Sequence, residues 1–162
     1  MHFRRAVEAD IAFICAQEAR ADYAPFVNAW PAERHRAAMN DANYRYQMFV
    51  DGSGAVQGFA ITRGYAGPNR AIELMRMALA HADSGRGRAA CLLLLRQAFV
   101  DDGMHRFWLD LFEDNVRAEH LYLKLGFVHE GVLRDAERRG EIFRSLKIMS
   151  MLDREYRQRY AS

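Results

Sequence analysis

A glycine-rich turn between a predicted strand and a predicted helix constrains the fold of this chain more than any other feature. Residues 84–89 read Ser-Gly-Arg-Gly-Arg-Ala, after a strand pattern over residues 72–79 and before a strongly apolar helix pattern over residues 87–102. Glycines let a ligand approach the backbone closely, and the N–H groups and dipole at a helix start favour anions. Arg86 and Arg88 add positive charge for phosphate. The turn therefore predicts a site for a phosphate-bearing ligand.

The patterns around this turn predict a mixed sheet. Before it come a strand, two helices and a hairpin, at residues 3–6, 8–20, 31–40, 44–51 and 55–63. After it come a strand, a helix closed by a glycine and a last hairpin, at residues 106–111, 114–126, 127–133 and 142–152. The expected class is α+β, with a mostly antiparallel sheet of about seven strands flanked by about four helices.

Composition narrows the setting in which this fold works. A chain of 162 residues fits a single domain over residues 1–162. The net charge of +2 gives no reason to expect nucleic acid, and the longest apolar run, residues 89–95, is too short for a membrane helix. The N-terminus lacks the apolar core of a signal peptide, so we expect a cytoplasmic protein. Cys15 and Cys91 lie far apart in the sequence and indicate neither a disulfide nor a metal site.

Two separate stretches resemble the GNAT superfamily of N-acetyltransferases. Residues 77–89 are similar in length and glycine placement to that family's strand, loop and pyrophosphate-binding turn, although Ser84 stands where the family usually has arginine or glutamine. Residues 115–127 resemble the family's Asn-x-x-Ala-x-x-Leu-Tyr-x-x-x-Gly-Phe helix. Residues 130–134 and the end of the last strand further resemble the branch that contains ribosomal-protein alanine and spermidine N-acetyltransferases.

The resemblance implies acetyl-CoA as the cosubstrate, with no metal, and direct transfer of acetyl to a small-molecule amine or a protein N-terminus. The residues expected to contact the cofactor are Met77, Ala78, Leu79, Ser84, Gly85, Arg86, Gly87, Arg88, Ala89, Asn115 and Tyr122. Backbone N–H groups late in the strand over residues 72–79 would contact the acetyl carbonyl.

Tyr122 and Glu73 are the candidate catalytic residues. Asn115 and Tyr122 lie seven positions apart and share one helix face, from which a phenol can return a proton to a departing thiolate. Spacing alone also allows Tyr122 to be an aromatic core residue. Glu73 is the only carboxylate on its strand and could accept the amine proton through water. Its alternative is an edge charge or a partner of Arg76.

The amine acceptor is expected against the N-terminal third of the chain. Tyr23, Phe26 and Trp30 could form an aromatic wall there, although they could equally belong to the core. The charged residues 134–141 are expected to be a solvated hairpin surface. A homodimer is possible but is not predicted by any particular surface.

Two other functions remain open at this point. Gly85-x-Gly87-x-x-Ala90, with Asp110 ending the next strand, also fits the looser form of a Rossmann dinucleotide-binding turn, as in an oxidoreductase. A non-catalytic acyl-CoA-binding module would need the same turn without the catalytic residues.

Overall fold

The computed structural model describes residues 1–81 and 85–160, which form one seven-stranded sheet and five α-helices. The strands are β1 (His2–Arg5), β2 (Tyr44–Val50), β3 (Val56–Arg63), β4 (Ala71–Leu79), β5 (Arg106–Phe112), β6 (Val128–Arg139) and β7 (Ile142–Leu152). The α-helices are α1 (Ile11–Glu18), α2 (Ala32–Met39), α3 (Arg86–Arg96), α4 (Val116–Leu125) and α5 (Asp153–Tyr160). Ser84 lies outside the described residues.

The sheet order is β1-β2-β3-β4-β5-β7-β6, and every neighbouring pair is antiparallel except β4 and β5. Helix α3 makes the crossover between these two parallel strands, as parallel neighbours require. The predicted α+β class with about seven strands is confirmed. The fifth helix, α5, was not predicted, because it follows β7 without an intervening turn signal.

The two faces of the sheet carry separate cores. Helices α1 and α2 cover one face, where Met48, Phe59 and Ile61 are fully buried. Helices α3, α4 and α5 cover the other face, where Phe99 and Phe107 are among the buried residues. Successive side chains along a strand point to opposite faces of the sheet, so neighbouring residues belong to different cores. Within the described residues, no helix has the length and apolar character needed to cross a bilayer.

The prediction for β6 was wrong in length. This strand continues to Arg139 rather than ending at residue 133, so the charged residues 134–141 form its second half and the turn to β7. An irregularity in the pairing between Leu133 and Glu137, with Asp135 at a left-handed φ of 49°, interrupts the alternation there. Because β6 is an edge strand with mostly exposed side chains, its sequence lacks the apolar repeat that marks a buried strand.

Candidate active site

A cleft opens where the two parallel strands separate. Among the described residues, β4 and β5 pair only from Ala71 with Arg106 to Glu73 with Trp108. Both strands then continue without pairing to each other, and a cleft of about 730 Å³ lies between them. This volume lies within the usual range for small-molecule sites. The unpaired strand edges offer backbone N–H and C=O groups to a ligand that can accept and donate hydrogen bonds.

A bulge in β4 turns this strand away from β5. Arg76 pairs with Ile61 and Leu74 pairs with Thr62 of β3, so Met75 is an extra residue in β4. A bulge bends its strand and redirects the side chains around it. Met75 and Arg76 consequently both contact the α1–α2 side of the sheet.

The predicted phosphate-binding turn lies at one end of the cleft. Gly85 precedes α3 with a left-handed φ of 68°, a conformation that glycine adopts without strain. A Cβ at Gly87 would lie 3.3 Å from Leu121 of α4, so this position is tight for any side chain. Gly85, Gly87 and Arg88 line the cleft. Arg86 instead contacts the Gln57 side chain, and it and Ala89 lie outside the described lining.

Helix α4 and its N-cap bring Tyr122 and Asn115 to the same cleft. The Asn115 side chain caps the helix by accepting a hydrogen bond from the Ala118 N–H at 3.3 Å, which leaves it at the cleft edge. Tyr122 is only 8% exposed and packs on Phe127 at 5.3 Å between ring centres. Burial raises the pKa of Tyr122 well above its usual range. The phenol therefore keeps its proton at neutral pH and can act as a donor.

Glu73 lies beside the cleft and is bound to an arginine. Its Oε2 is 2.5 Å from Nε of Arg63 on β3, so its partner is Arg63 and not Arg76. The side chain is mostly buried and is not part of the described cleft lining. The structure therefore places Glu73 behind the cleft surface.

Asp110 is a cleft carboxylate that the sequence analysis relates only to a dinucleotide-binding turn. It follows Trp108 on the same face of β5, and its side chain opens onto the cleft. Although Asp110 is exposed to solvent, partial desolvation in the cleft and the negative charges of Glu73 and Glu137 raise its pKa to about 6, against the opposing charge of Arg63. The signal in the sequence was its position near the end of a parallel strand, which we weighed only for a dinucleotide-binding turn.

Of the three residues predicted to form an aromatic wall, the structure brings two to the cleft. Tyr23 and Phe26 line the cleft, in the irregular stretch between α1 and α2. Burial raises the pKa of Tyr23, while Arg76 and the Met77 backbone N–H oppose that shift. Trp30 packs instead with His35 and Tyr44 in the core beneath α2. Met77, Ala78 and Leu79 of β4 complete the lining that the sequence predicted.

The model of the acetyltransferase (GNAT) family matches residues 12–127. The chain belongs to this family. It is therefore an N-acetyltransferase. The dinucleotide-binding alternative is set aside because the strands of the described residues include a single parallel pair, β4 and β5.

Solved structures support the same fold. A complex of spermidine N-acetyltransferase from Vibrio cholerae with CoA and spermine is 21% identical to this GNAT chain, with a TM-score of 0.85, covering 95% of this chain and 96% of that one. A point mutant of the same Vibrio cholerae enzyme is 20% identical, with a TM-score of 0.86, covering 98% of this chain and 99% of that one. At this level of identity the likeness shows the shared fold.

Proposed function

We propose that this protein transfers acetyl from acetyl-CoA directly to a primary amine of a small cationic acceptor. The observation that carries the proposal is that one cleft contains a helix start suited to phosphate, free strand edges, a protonated phenol and a carboxylate with a raised pKa. A non-catalytic acyl-CoA-binding module would have no need for the last two groups.

The residues of the cleft fit acetyl-CoA as the donor. The start of α3, with Gly85, Gly87 and Arg88, would hold the pyrophosphate through backbone N–H groups and positive charge. The edge of β4 past Leu74 would bond to the amide groups of the pantetheine arm. Family membership supports this choice of donor. Bound acetyl-CoA supplies an activated thioester carbonyl.

Asp110 is the group that we propose takes the proton from the incoming amine. An acceptor amine arrives mainly as an ammonium ion and must lose a proton before it can attack a carbonyl. Asp110 opens onto the cleft, and its pKa of about 6 leaves it ionised but more basic than an ordinary aspartate at neutral pH. Glu73, the residue predicted from the sequence, is bound to Arg63 and contributes negative charge beside Asp110.

Tyr122 is the group that we propose returns a proton to the leaving sulfur. Its phenol is buried against Phe127 and lines the cleft. The phenol holds its proton at neutral pH and can give it to the thiolate when the C–S bond breaks. The two proton transfers thus use different residues on β5 and α4.

A small polyamine is the acceptor class that the site supports best. Asp110 faces the cleft, and Glu73 and Glu137 add negative charge close to it. Carboxylates near a cleft attract a cation and raise its local concentration. The Vibrio cholerae relative, whose structure contains spermine, points to the same class.

A reducing cytoplasmic setting belongs to this proposal, because both Cys15 and Cys91 are free thiols.

Calorimetry combined with a thiol-release assay tests this function. Purified protein is titrated with acetyl-CoA, and release of CoA is then followed with spermidine, spermine, an amino acid and a short peptide with a free N-terminus. We expect acetyl-CoA binding and turnover that is fastest with the polyamines. A correctly folded protein that binds no acetyl-CoA would overturn the function; turnover with the peptide alone would overturn the acceptor class.

A further inference from the structure

Residues 23–28, which we call the 23–28 segment, carry Tyr23 and Phe26 to the cleft although they have little regular structure. Only a single 3₁₀ turn, Ala24–Phe26, interrupts the irregular backbone between α1 and α2. Such a backbone has no repeating hydrogen-bond pattern to fix its path, so its carbonyl groups need hydrogen-bond donors from elsewhere in the fold. In the 23–28 segment, several of these donors are arginine side chains from distant strands.

Two of these arginines come from the hairpin of β6 and β7. Arg139 donates to the carbonyls of Ala24 at 2.9 Å and Val27 at 2.6 Å. Arg144 donates to the carbonyl of Pro25 at 2.6 Å. Each partner is more than a hundred residues away in sequence, so these bonds fix tertiary position and not local shape.

The other side of the segment is fixed by the β4 bulge and again by β6. Arg76 donates to the carbonyl of Asn28 at 2.5 Å, and the Asn28 side chain donates to Glu137 of β6 at 2.7 Å. Carbonyls of Ala24, Pro25, Val27 and Asn28 therefore all accept hydrogen bonds from arginine.

The hairpin arginines are themselves held against the end of β5. The guanidinium carbons of Arg139 and Arg144 lie 5.1 Å and 3.7 Å from the ring centre of Phe112, within cation–π distance. Arg144 also donates to Asp114 at 2.5 Å, and Asp114 lines the cleft. A planar guanidinium that stacks on a ring and donates from two nitrogens has little freedom to move. The contacts therefore join the 23–28 segment to the strand that carries Asp110.

We propose that Arg139 and Arg144 are positioning residues that hold the 23–28 segment at a fixed separation from β5 and so determine which acceptors fit. This inference rests on the proposed function for its acceptor site, and it adds a role for one arginine on each strand of the β6–β7 hairpin. Neither arginine lies in the described cleft lining, so each acts through Tyr23 and Phe26 and not by touching the acceptor.

The test compares Arg139→Met and Arg144→Met with Arg138→Met as a matched control. Arg138 is exposed and contacts only the hairpin turn in its described hydrogen bonds, to Gly140 and Glu141. Methionine keeps much of the apolar stem but removes the donors. The readouts are kcat, the KM for the acceptor, the acetyl-CoA Kd, and hydrogen exchange of a peptide spanning residues 21–30.

We expect both arginine variants to raise the acceptor KM about tenfold, the effect of losing one or two charge-assisted bonds. Their kcat should stay within about threefold, and acetyl-CoA Kd within about twofold, because the catalytic and phosphate-binding residues lie on other elements. Exchange of the 21–30 peptide should be faster. Arg138→Met should change none of these. Arg139→Lys, which replaces two donating guanidinium nitrogens by one ammonium, should give an intermediate KM.

Unchanged KM and exchange in Arg139→Met and Arg144→Met would overturn the inference, as would equal changes in Arg138→Met. If a methionine variant does not fold, Arg139→Lys and Arg144→Lys decide the question by the same readouts. A wild-type protein that acetylates no amine would refute the proposed function separately, whereas the exchange rates would still show whether the arginines hold the segment.

Discussion

Replacing Asp110 by asparagine would remove the carboxylate that is best placed to take a proton in the cleft. The shape of the side chain is kept, so acetyl-CoA should still bind. Loss of a positioned general base typically lowers a rate by about 10²- to 10⁴-fold, and we expect kcat of Asp110→Asn to fall within this range. Glu73→Gln is the matched control, because it changes the neighbouring carboxylate that is bound to Arg63.

The pH dependence follows from the raised pKa of Asp110. Because its pKa is about 6, the carboxylate that accepts the proton is lost as the pH falls through this value. A group with this pKa is ionised in about 9% of molecules at pH 5 and about 91% at pH 7, so the wild-type rate should rise about tenfold between them. Partial desolvation in the cleft and the charges of Glu73 and Glu137 raise the pKa of Asp110, and Arg63 lowers it. Glu73→Gln should therefore move the midpoint of the profile to lower pH and leave a substantial kcat.

The assay is steady-state release of CoA thiol with saturating acetyl-CoA, from pH 5 to pH 9 at constant ionic strength. A single buffer series with circular dichroism at each pH separates loss of ionisation from loss of fold. The reasoning is refuted if Asp110→Asn keeps wild-type kcat, or if Glu73→Gln suffers the larger loss. A profile that rises steadily to pH 9 without a break near 6 would show that only the ionisation of the acceptor matters.

Three other substitutions test the rest of the site. Tyr122→Phe should lower kcat by about 10²-fold or more while leaving the acetyl-CoA Kd within about twofold. Single-turnover kinetics measures the first effect and calorimetry the second. A reduced affinity with a normal kcat would contradict the proton-donor role. Gly87→Glu should abolish acetyl-CoA binding in calorimetry, because the new side chain would contact Leu121 and bring negative charge to the start of α3. An unchanged Kd in the folded variant would show that the turn does not bind acetyl-CoA. Glu18→Gln should lower the free energy of unfolding by about 3 kcal/mol or more in urea, because it leaves the guanidinium of Arg76 buried without a counter-charge. A smaller loss would show that Arg76 does not depend on that charge.

The parts of the fold that could be predicted from the sequence are those with a local pattern. Strands β2 to β5 alternate or end in glycine turns, and α4 has both an Asn115 cap and a Gly126 stop, so their bounds were close to the structure. The second half of β6 has no such pattern, because its side chains are exposed and its pairing is irregular at Leu133. Arg139 belongs to the charged residues 134–141 that the sequence predicts to be solvated, because its carbonyl partners at Ala24 and Val27 are distant in sequence.

The candidate site, like the fold, could be predicted from the sequence only where its residues have a local pattern. Gly87 and Tyr122 lie in stretches with family-like spacing, and the structure places both at the cleft. The choice between Glu73 and Asp110 depends on which carboxylate is bound by Arg63, a contact across neighbouring strands that spacing does not reveal. The pKa of Asp110 depends on charges from β4 and β6, which only the assembled sheet brings together.

The bulge at Met75 connects the proposed donor side of the cleft with the proposed acceptor side. The extra residue bends β4 just past its last pair with β5, beside the space that we assign to the donor, and it also turns Arg76 toward α1. There Nε of Arg76 lies 2.7 Å from Oε1 of the fully buried Glu18, in an orientation that does not make a hydrogen bond. A buried ion pair with imperfect geometry adds little stability over apolar packing, so stability alone does not explain it. A further role follows from the contact of Arg76 with the carbonyl of Asn28, which joins the end of the 23–28 segment to the strand edge that we assign to acetyl-CoA.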